Sequence, residues 1–315
     1  MGDWRMRIAI VGQRDFGKAV LDAFLTRGDS VAGIFCAPEK PGSPPDPLRM
    51  AGEELKIPVF QLASLKDEYA ARTLRALNAD IGIMAYVLQF VPQEFVAIPR
   101  LGMIQFHPSL LPRYRGPSSI NWPIIRGEST TGLTIFRPTD GLDEGPIVLQ
   151  KETPIGPNDT VGSVYFERLF PMGVAALVEA AELITTGRAV ERSQVESDAS
   201  YEGWCRDAEA QINWHQHVDS IHNLIRGCSP APGAWTLFGG KRLQLFDTQR
   251  HVTRTFSQVR GKIGAITHIG ERSVFIAAQG GEIEVSKLRY DAGKKLAAVQ
   301  LCADAQLQVG TILGH

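Results

Sequence analysis

The stretch RIAIVGQRDFGKAVLDAFLTRGDSVAGIF, residues 7–35, decides the fold of this chain. RIAIV (residues 7–11) and VAGIF (residues 31–35) are short apolar runs typical of buried strands. A turn at Gly12 and a helix-like segment that ends near Gly28 separate the two runs. A strand, a helix and a second strand in this order predict an α/β domain built on a mostly parallel sheet.

The same alternation continues along the first part of the chain. Residues 80–85 and 103–106 are further apolar runs, which we expect to be central strands of the same sheet. The stretch KPGSPPDP (residues 40–47) contains four prolines and a glycine, so it predicts a loop. Apolar residues recur at helical spacing from Thr160 to Thr186, with Thr160 as the predicted cap and Gly187 as the predicted stop of that helix.

The pattern changes from about Ser200. A short amphipathic helix (residues 218–225) precedes alternating segments that glycine-rich turns separate, namely AWTLF, LQLF, GAITHI, SVFIAA and EIEVSKL. Segments of this kind predict a small antiparallel barrel or sandwich. The sequence therefore predicts two domains, residues 1–205 and residues 206–315.

Composition narrows the class of protein. The 315 residues include 33 Lys and Arg against 34 Asp and Glu, so the bulk charge does not favour a polyanionic partner. The chain has no run of about 18 apolar residues and its start lacks a secretory signal, so we expect no membrane span. The four cysteines form no CxxC pair, which favours reduced thiols, no zinc site and a cytoplasmic location.

Two further motifs do not indicate a phosphate-binding or metal-binding site. GQRDFGK (residues 12–18) is close to a phosphate-binding loop, but Ala19 follows where that loop needs a hydroxyl to hold magnesium. We therefore expect only a tight turn between a strand and a helix. His215, His217 and His222 do not share one face of a helix, so the sequence predicts no metal site.

The most informative stretch is GMIQFHPSLLPRYRGPSSINW, residues 102–122. A predicted strand delivers His107 at its carboxyl end, where open α/β sheets build their sites. The prolines and glycine that follow predict a stiff, irregular loop, which would hold a reactive imidazole in one position. A buried structural histidine followed by a surface loop is the alternative.

A second stretch, PTDGLDEGPIVLQ (residues 138–150), places Asp140 and Asp143 in a glycine-punctuated turn. Asp143 lies in a loop that can fold back towards His107, and an imidazole beside a carboxylate forms a tunable acid–base pair. The alternative is that both aspartates only make hydrogen bonds within the turn. The residues alone leave both interpretations open.

The two stretches resemble the hallmarks of the folate-dependent formyltransferase family. The pattern HxSLLPxxRG runs from His107 to Gly116, and GLDxG runs from Gly141 to Gly145, in the family's order and separation. The resemblance covers nearly the whole chain, and it extends in particular to the hydrolase domain of the 10-formyltetrahydrofolate dehydrogenases and to methionyl-tRNA formyltransferases. It implies a Rossmann-like formyltransferase domain with a mostly parallel sheet, followed by a small OB-like β-barrel domain.

The resemblance also implies the site. The formyl donor would be 10-formyltetrahydrofolate, with no metal; His107 would stabilise an oxyanion or move a proton, and Asp143 would orient the imidazole. Gln105 stands where the family usually has an asparagine that donates to the oxyanion, and we predict that it takes this role. The implied folate-lining residues are Ala85, Tyr86, Val87, Leu88, Gln89, Phe90 and Val91 in one segment, and Pro138, Thr139, Asp140 and Gly141 in the other.

Side chains of the first folate segment have two interpretations. Tyr86, Leu88 and Phe90 would supply apolar surface to the folate, while backbone groups read the edge of its pterin ring. Any of the three could equally pack in the core.

The acceptor of the formyl group is left open. The predicted reaction is removal of the formyl group from 10-formyltetrahydrofolate, by hydrolysis to formate and tetrahydrofolate or by transfer to a small-molecule amine. A methionyl-tRNA formyltransferase is the alternative enzyme, and a folate-binding regulatory protein is the non-enzymatic one. We expect a monomer or homodimer, with no membrane as a partner.

Charge disfavours tRNA as that acceptor. The loop PEKPGSPPDPLR (residues 38–49) offers Lys40 and Arg49 but also Glu39 and Asp46. From Tyr201 onward the chain has 13 Lys and Arg against 10 Asp and Glu, a net charge of 13 − 10 = +3. This excess is too small to demand RNA binding.

Overall fold

The computed structural model describes residues 5–253 and 261–314, which form two compact units. The first unit comprises Met1–Gly116, Gly132–Glu152 and Arg168–Tyr201; the second comprises Pro117–Thr131, Thr153–Glu167 and Glu202–His315. The boundary at residue 205 treats each domain as one continuous stretch and stays a prediction. Local sequence patterns do not indicate which unit an early segment joins.

A seven-stranded sheet forms the first unit, with the strand order β3-β2-β1-β4-β5-β6-β7. Its strands are β1 (Arg7–Gly12), β2 (Ser30–Cys36), β3 (Val59–Gln61), β4 (Ile81–Ala85), β5 (Met103–His107), β6 (Thr130–Phe136) and β7 (Ile147–Pro154). Strand β1 is parallel to β2 and β4, β2 is parallel to β3, and β4 is parallel to β5. Strand β6 is antiparallel to β5. The predicted α/β fold with a mostly parallel sheet is confirmed.

The helices of the chain are α1 (Arg14–Arg27), α2 (Pro47–Glu54), α3 (Glu68–Ala76), α4 (Gln93–Val96), α5 (Asn121–Ile125), α6 (Val161–Ser163), α7 (Phe170–Thr185), α8 (Val218–Gly227) and α9 (Ala298–Asp304). Helices α1 to α5 lie between strands of this sheet, α6 to α8 lie between it and the second sheet, and α9 follows the last strand of the second sheet.

The first strand and helix follow the predicted boundaries. Helix α1 ends at Gly28, which adopts a left-handed φ of 94° and donates from its backbone N–H to the carbonyl of Leu25. A Cβ at Gly12 would collide with the carbonyl oxygen of Ala85 at the end of β4, so β1 and β4 approach there too closely for any side chain. This close approach supports a tight strand-to-helix turn at Gly12.

The loop predicted over residues 40–47 is wrong at its last residue, because Pro47 begins helix α2. The Asp46 carboxylate caps that helix by accepting from the backbone N–H of Leu48 at 3.0 Å and of Arg49 at 3.3 Å. Proline is tolerated in the first turn of a helix, where its nitrogen needs no hydrogen-bond partner. A proline-rich stretch can therefore lead directly into a helix.

The helix predicted from Thr160 has a local irregularity. The Thr160 hydroxyl accepts from the Ser163 N–H at 3.1 Å, as a helix cap does, and Gly187 follows the helix with a φ of 66°. Between α6 and α7, however, Val164–Leu169 is a π-helix. The spacing of apolar residues does not distinguish one wide turn from an α-helical turn.

The same stretch, Val161–Thr185, is 25 residues long and contains an 18-residue window with a mean hydropathy of 1.3, enough by these two measures to cross a membrane. Its α7 part packs against α1 and β5 and buries Ala176 and Ala180 completely. The Glu179 carboxylate, on the same helix, forms an exposed ion pair with Lys151 at 2.5 Å. A core helix of an α/β layer has the same length and composition, so the absence of a membrane partner stays a prediction.

The second unit contains a six-stranded antiparallel sheet. Its strands are β8 (Trp235–Phe238), β9 (Lys241–Val252), β10 (Ile266–Ile269), β11 (Val274–Ala278), β12 (Gly281–Tyr290) and β13 (Lys295–Ala297). The strand order is β10-β11-β12-β9-β8, and β13 pairs with β12. Each of the five segments predicted as strands contributes to one of them. The predicted antiparallel β domain after the α/β domain is confirmed.

Two of the four scattered cysteines meet in this unit. The Sγ atoms of Cys205 and Cys228 lie 3.7 Å apart, and both residues are buried free thiols. The hydrogen bond from Cys228 lowers the pKa of the Cys205 thiol. Sequence spacing gave no sign of this contact, since the two residues lie 23 positions apart.

A buried histidine joins helix α8 to the sheet. His222 is 1% exposed; its Nε2 lies 3.1 Å from the carbonyl oxygen of Pro157 and its Nδ1 lies 3.1 Å from the Thr248 hydroxyl. A carbonyl only accepts, so Nε2 donates to it and Nδ1 accepts from the hydroxyl. Burial lowers the pKa of His222 from 6.5 to about 4.

We expect acid to destabilise the protein through His222. The unfolded histidine takes up a proton near pH 6.5 and the folded one only near pH 4, so unfolding is favoured increasingly as the pH falls between these values. The loss of unfolding free energy from this residue is about 3 kcal/mol. Urea titrations of the wild type and His222→Gln across this pH window would measure it. The exposed His215→Gln is the control, and equal pH slopes in all three proteins would contradict the prediction.

Candidate active site

The carboxyl ends of strands β4 and β5 lie side by side at the candidate site. Strands β4 and β5 run parallel with Met84 opposite Gln105, so Tyr86 and His107 leave the sheet at the same edge. The carboxyl edge of a parallel sheet is where α/β proteins bind their ligands. The sheet therefore brings the first predicted folate segment beside the predicted catalytic histidine.

His107 is buried and held from both sides of its ring. It is 6% exposed, with Nε2 2.9 Å from the carbonyl oxygen of Tyr114 and Nδ1 3.5 Å from Oδ2 of Asp143. Because the carbonyl only accepts, Nε2 carries a proton and donates to it. Nδ1 is then the position at which the ring gains or loses a proton, directly facing the carboxylate. This geometry is that of an acid–base group with its counter-ion in place.

The loop after His107 is fixed by hydrogen bonds from the neighbouring strands. The Thr134 hydroxyl on β6 donates to the carbonyl of Ser109 at 2.7 Å and accepts from the Leu111 N–H at 3.0 Å. On β7, Nε2 of Gln150 donates to the carbonyl of Leu111 at 2.7 Å. The predicted stiff loop is therefore present, and its rigidity comes from these side chains as well as from its prolines.

Asp143 sits in a sharply turned loop. Its φ is 56°, and its Oδ2 accepts from the Gly116 N–H at 2.9 Å while facing His107. A Cβ at Gly145 would collide with the carbonyl oxygen of Arg137, so the turn closes only with glycine there. The approach of Asp143 to His107 that the sequence left open is present in the structure.

Arg115 and Gln194 connect the two hallmark loops. Nε2 of Gln194 donates to the carbonyls of Asp143 and Gly145, each at 2.8 Å, and its Oε1 accepts from Nη2 of Arg115 at 2.8 Å. Arg115 is fully buried and pairs with Glu196 at 3.0 Å. Sequence reasoning assigned no role to Gln194, because it lies in an irregular segment far along the chain.

Burial would lower the pKa of the Arg115 guanidinium, but the hydrogen bonds that it donates to Glu196 and Tyr201 outweigh burial and raise that pKa. The Tyr201 hydroxyl in turn donates to Glu144 at 2.6 Å, next to Asp143. Arg115 therefore stays charged and keeps its partners in place.

Gln194→Ala is expected to reduce turnover by roughly ten- to a hundredfold, because Asp143 loses the side chain that fixes its backbone. Gln194 touches no reacting group, so the change should fall on kcat and leave KM for the folate nearly unchanged. Steady-state kinetics would test this, with the exposed Gln216→Ala as the matched control. An effect on KM alone would show that Gln194 does not position Asp143.

The first folate segment divides into core and surface residues. Tyr86, Leu88 and Phe90 are 44%, 63% and 53% exposed, so none of the three packs in the core. Ala85 and Val91 are buried, and Val87 packs against the core cluster. Alternation along the segment thus presents three large apolar side chains outward, at the edge where His107 lies.

The two predicted folate segments are tied together. Nε2 of Gln93, two residues after the first segment, donates to the carbonyl of Pro138 at 2.9 Å. Thr139 and Asp140 are exposed beyond this contact, and Gly141 is half-buried.

One polar atom of the first segment is unsatisfied. Oε1 of Gln89 is buried without a hydrogen-bond partner among the described residues, whereas its Nε2 donates to Leu62 at 2.9 Å. A buried acceptor without a donor is destabilising until a donor reaches it.

Gln105 lies on the same face of β5 as His107, since the two are separated by one residue. It is half-buried, and its side-chain amide makes no hydrogen bond with any residue that the structure describes. The competing interpretation, in which Gln105 bonds to a neighbouring loop, has no contact to support it. The amide remains available to a ligand, and its catalytic role stays a prediction.

Gln105→Ala is expected to lower turnover by about ten- to a thousandfold, the range seen when an oxyanion donor is removed. Gln105→Asn should retain activity, because it keeps the amide and shortens the side chain by one methylene. Single-turnover kinetics of both variants would measure the effect. Unchanged kinetics in Gln105→Ala would exclude the amide from the reaction.

No group of three or more His, Cys, Asp or Glu residues suited to a metal ion occurs within residues 5–253 and 261–314. The buried histidine and carboxylate at the carboxyl edge of a mostly parallel sheet define an α/β enzyme with an acid–base site. Two family models match the chain: one described as Formyl transferase over residues 6–181, and one described as Formyl transferase, C-terminal domain, over residues 205–306. The chain belongs to the formyl transferase family.

Similar proteins span this family. The mitochondrial 10-formyltetrahydrofolate dehydrogenase of Mus musculus is 35% identical in an alignment of 316 positions that covers 97% of this chain and 34% of that protein. The chain thus spans about a third of the length of such dehydrogenases. The methionyl-tRNA formyltransferase of Syntrophus aciditrophicus is 31% identical over 315 residues, covering 98% of this chain and 99% of that one.

Solved structures share the fold. HypX from Aquifex aeolicus in complex with tetrahydrofolic acid superposes with a TM-score of 0.68 at 18% identity, over 97% of this chain and 48% of that one. An N-formyltransferase from Helicobacter canadensis superposes with a TM-score of 0.66 at 16% identity, over 92% and 100% of the two chains. The predicted family, the predicted fold class and the prediction of a formyl-transferring enzyme are confirmed.

Proposed function

We propose that the chain removes the formyl group from 10-formyltetrahydrofolate and passes it to water or to the amine of a small molecule. One observation carries this proposal: Nδ1 of His107 faces the Asp143 carboxylate at 3.5 Å, at the sheet edge where Tyr86, Leu88 and Phe90 stand exposed. The exposed apolar side chains suit a flat heterocycle, and the acid–base pair suits acyl transfer beside it.

Each residue has a step in the reaction. The lone pair of the acceptor forms a bond to the formyl carbon, and the carbonyl oxygen becomes an oxyanion. His107 stabilises that oxyanion or moves the proton, which the acceptor loses and N10 of the folate gains when its bond to the formyl carbon breaks. Asp143 holds the ring and offsets its charge. The Gln105 amide donates to the oxyanion.

Names of the similar proteins support the donor and the amine acceptor. The dehydrogenases are named for 10-formyltetrahydrofolate, and the HypX structure contains tetrahydrofolic acid. The Helicobacter canadensis enzyme was solved with folinic acid and dTDP-3-aminofucose, a sugar nucleotide that carries an amine. We propose in addition a cytoplasmic location and a monomer or homodimer.

Methionyl-tRNA is the second candidate acceptor, because the Syntrophus aciditrophicus enzyme matches along 99% of its own length. The loop over residues 38–49 argues against it. The Arg49 guanidinium is engaged by Glu39 at 2.8 Å and by Glu53 at 2.7 Å, so its charge is neutralised before any phosphate could reach it.

The test is to incubate the purified chain with 10-formyltetrahydrofolate and to measure tetrahydrofolate, formate and formylated product. Parallel reactions contain no added acceptor, amino sugars and their nucleotides, hydroxylated amines, or charged initiator tRNA. We expect tetrahydrofolate with formate or with a formylated small amine, and no sub-micromolar binding of tRNA at physiological salt. Formation of tetrahydrofolate only with charged tRNA would establish the second candidate, and its absence from every reaction would refute both.

A further inference from the structure

The second unit contains a cavity of about 300 Å³, lined mostly by polar residues, between the end of helix α8, strands β9 and β12, and the segment before α6. Its lining residues are Asn158, Thr160, Ile225, Arg226, Ser229, Asp247, Thr248, Gln249 and Ser286. All of them belong to the second unit, whereas His107 and Asp143 belong to the first. The volume lies at the lower end of the range for sites that take small molecules.

Arg226 is the buried cation of this cavity. The residue is 6% exposed, and its three hydrogen bonds go to neutral oxygens: Oδ1 of Asn223 at 2.9 Å and the carbonyls of Gly156 and Asp159, each at 3.2 Å. Its other terminal nitrogen, Nη2, has no partner among the described residues. No carboxylate within the described ranges forms an ion pair with Arg226, so a buried positive charge lacks its counter-ion.

The surrounding charges do not supply that counter-ion. The Asp159 carboxylate accepts from the Gly156 N–H at 2.6 Å and from the Ser163 hydroxyl at 3.2 Å. Asp247 lines the cavity but pairs with Lys287 at 2.8 Å. Burial, and then repulsion from Arg250, lower the pKa of Arg226, and the opposing attraction from Asp159 does not outweigh them.

The rest of the lining is suited to hydroxyl groups. Ser229 is 6% exposed, and its hydroxyl has no hydrogen-bond partner in the part of the chain that the structure describes. Gln249 and Ser286 add an amide and a second hydroxyl, and Ile225 is the one aliphatic side chain in the lining. The site therefore matches an anion attached to a small hydroxylated body, larger than a simple inorganic ion.

We propose that this cavity binds a small phosphate monoester of a polyol, with the phosphate on Nη2 of Arg226 and the polyol hydroxyls against Ser229, Gln249 and Ser286. A guanidinium fork matches phosphate geometry, and the phosphate supplies the missing counter-ion. The proposal does not depend on the formyl acceptor, because its test is binding alone.

Calorimetric titration of the full chain with glycerol 3-phosphate tests the proposal, with inorganic phosphate, glycerate and glycerol as comparison ligands. We expect one-site binding of glycerol 3-phosphate that is at least tenfold tighter than binding of the other three. Glycerate carries a carboxylate in place of the phosphate, so it tests whether a phosphate is required. Glycerol carries no charge, so it tests whether the hydroxyl groups alone are sufficient for binding. Equal or tighter binding of inorganic phosphate, glycerate or glycerol, or no binding of glycerol 3-phosphate, would overturn the proposal.

Variants locate the binding. Arg226→Gln removes the cation, and Ser286→Asp places a carboxylate in the cavity from a half-buried strand position that should not disturb folding. We expect each to weaken glycerol 3-phosphate binding at least tenfold, whereas Arg272→Gln, which removes the same charge from an exposed turn, should leave it within twofold. If Arg226→Gln does not fold, the test rests on Ser286→Asp. Undiminished binding of glycerol 3-phosphate in that variant would show that the ligand does not bind in this cavity.

Discussion

His107→Ala is expected to lower the rate of formyl removal at least about a hundredfold while the protein stays folded. The imidazole is the titratable group at the carboxyl end of β5, with Nε2 committed to the Tyr114 carbonyl and Nδ1 facing Asp143. Alanine removes both the proton carrier and the cation that an oxyanion requires. Folding should persist, because Thr134 and Gln150 hold the following loop independently of the ring.

Initial rates of tetrahydrofolate formation would measure this effect, with circular dichroism and Tm as checks of folding. His268→Ala, at an exposed histidine of β10, is the matched control and should retain the wild-type rate. A near-normal rate in His107→Ala with an unchanged Tm would remove the imidazole from the mechanism.

Asp143→Asn should cost roughly a hundredfold in rate for a different reason. The amide oxygen still accepts from the Gly116 N–H, so the loop keeps its shape, but the negative charge opposite Nδ1 is lost. The imidazole then faces a neutral amide in place of a carboxylate, so positive charge that develops on the ring during the reaction loses its counter-ion.

A matched substitution separates the charge of Asp143 from the general effect of replacing an aspartate in a turn. Asp291→Asn is a suitable control, because Asp291 also has a left-handed φ, of 52°, and lies in an exposed turn. Initial rates and Tm would be measured for both variants, and we expect the control to keep the wild-type rate. A near-normal rate in Asp143→Asn with an unchanged Tm would remove the charge of Asp143 from the mechanism.

Local sequence patterns predicted those parts of the fold that local interactions determine. The buried run at residues 7–11, the stop at Gly28 and the cap at Thr160 each depend on neighbours within a few positions. His107 was predicted as a candidate catalytic residue because it lies at the carboxyl end of a predicted strand. Pro47 was misassigned because the same residue suits a loop and the first turn of a helix.

Local sequence patterns did not predict contacts between residues that are far apart in the chain. Gln194 reaches Asp143 from 51 positions away, in a segment without periodicity. The outward orientation of Tyr86, Leu88 and Phe90 depends on how the chain leaves β4, and their residue types suited core and surface equally well. The family resemblance supplied the pairing of the two hallmark loops, which the residues alone had left open.

The discontinuous second unit has a consequence for how this enzyme can evolve by recombination. Its segments Pro117–Thr131 and Thr153–Glu167 are separated from Glu202–His315, so the chain passes between the units five times. Within that unit, Nδ2 of Asn121 donates to the carbonyl of Gly227 at 2.8 Å, and Trp122 packs on its core. Recombination at a single point near residue 205 would therefore transfer the second unit without Pro117–Thr131 and Thr153–Glu167, which would come from the other parent. The hybrid would fold only if the residues from the two parents pack together within that unit.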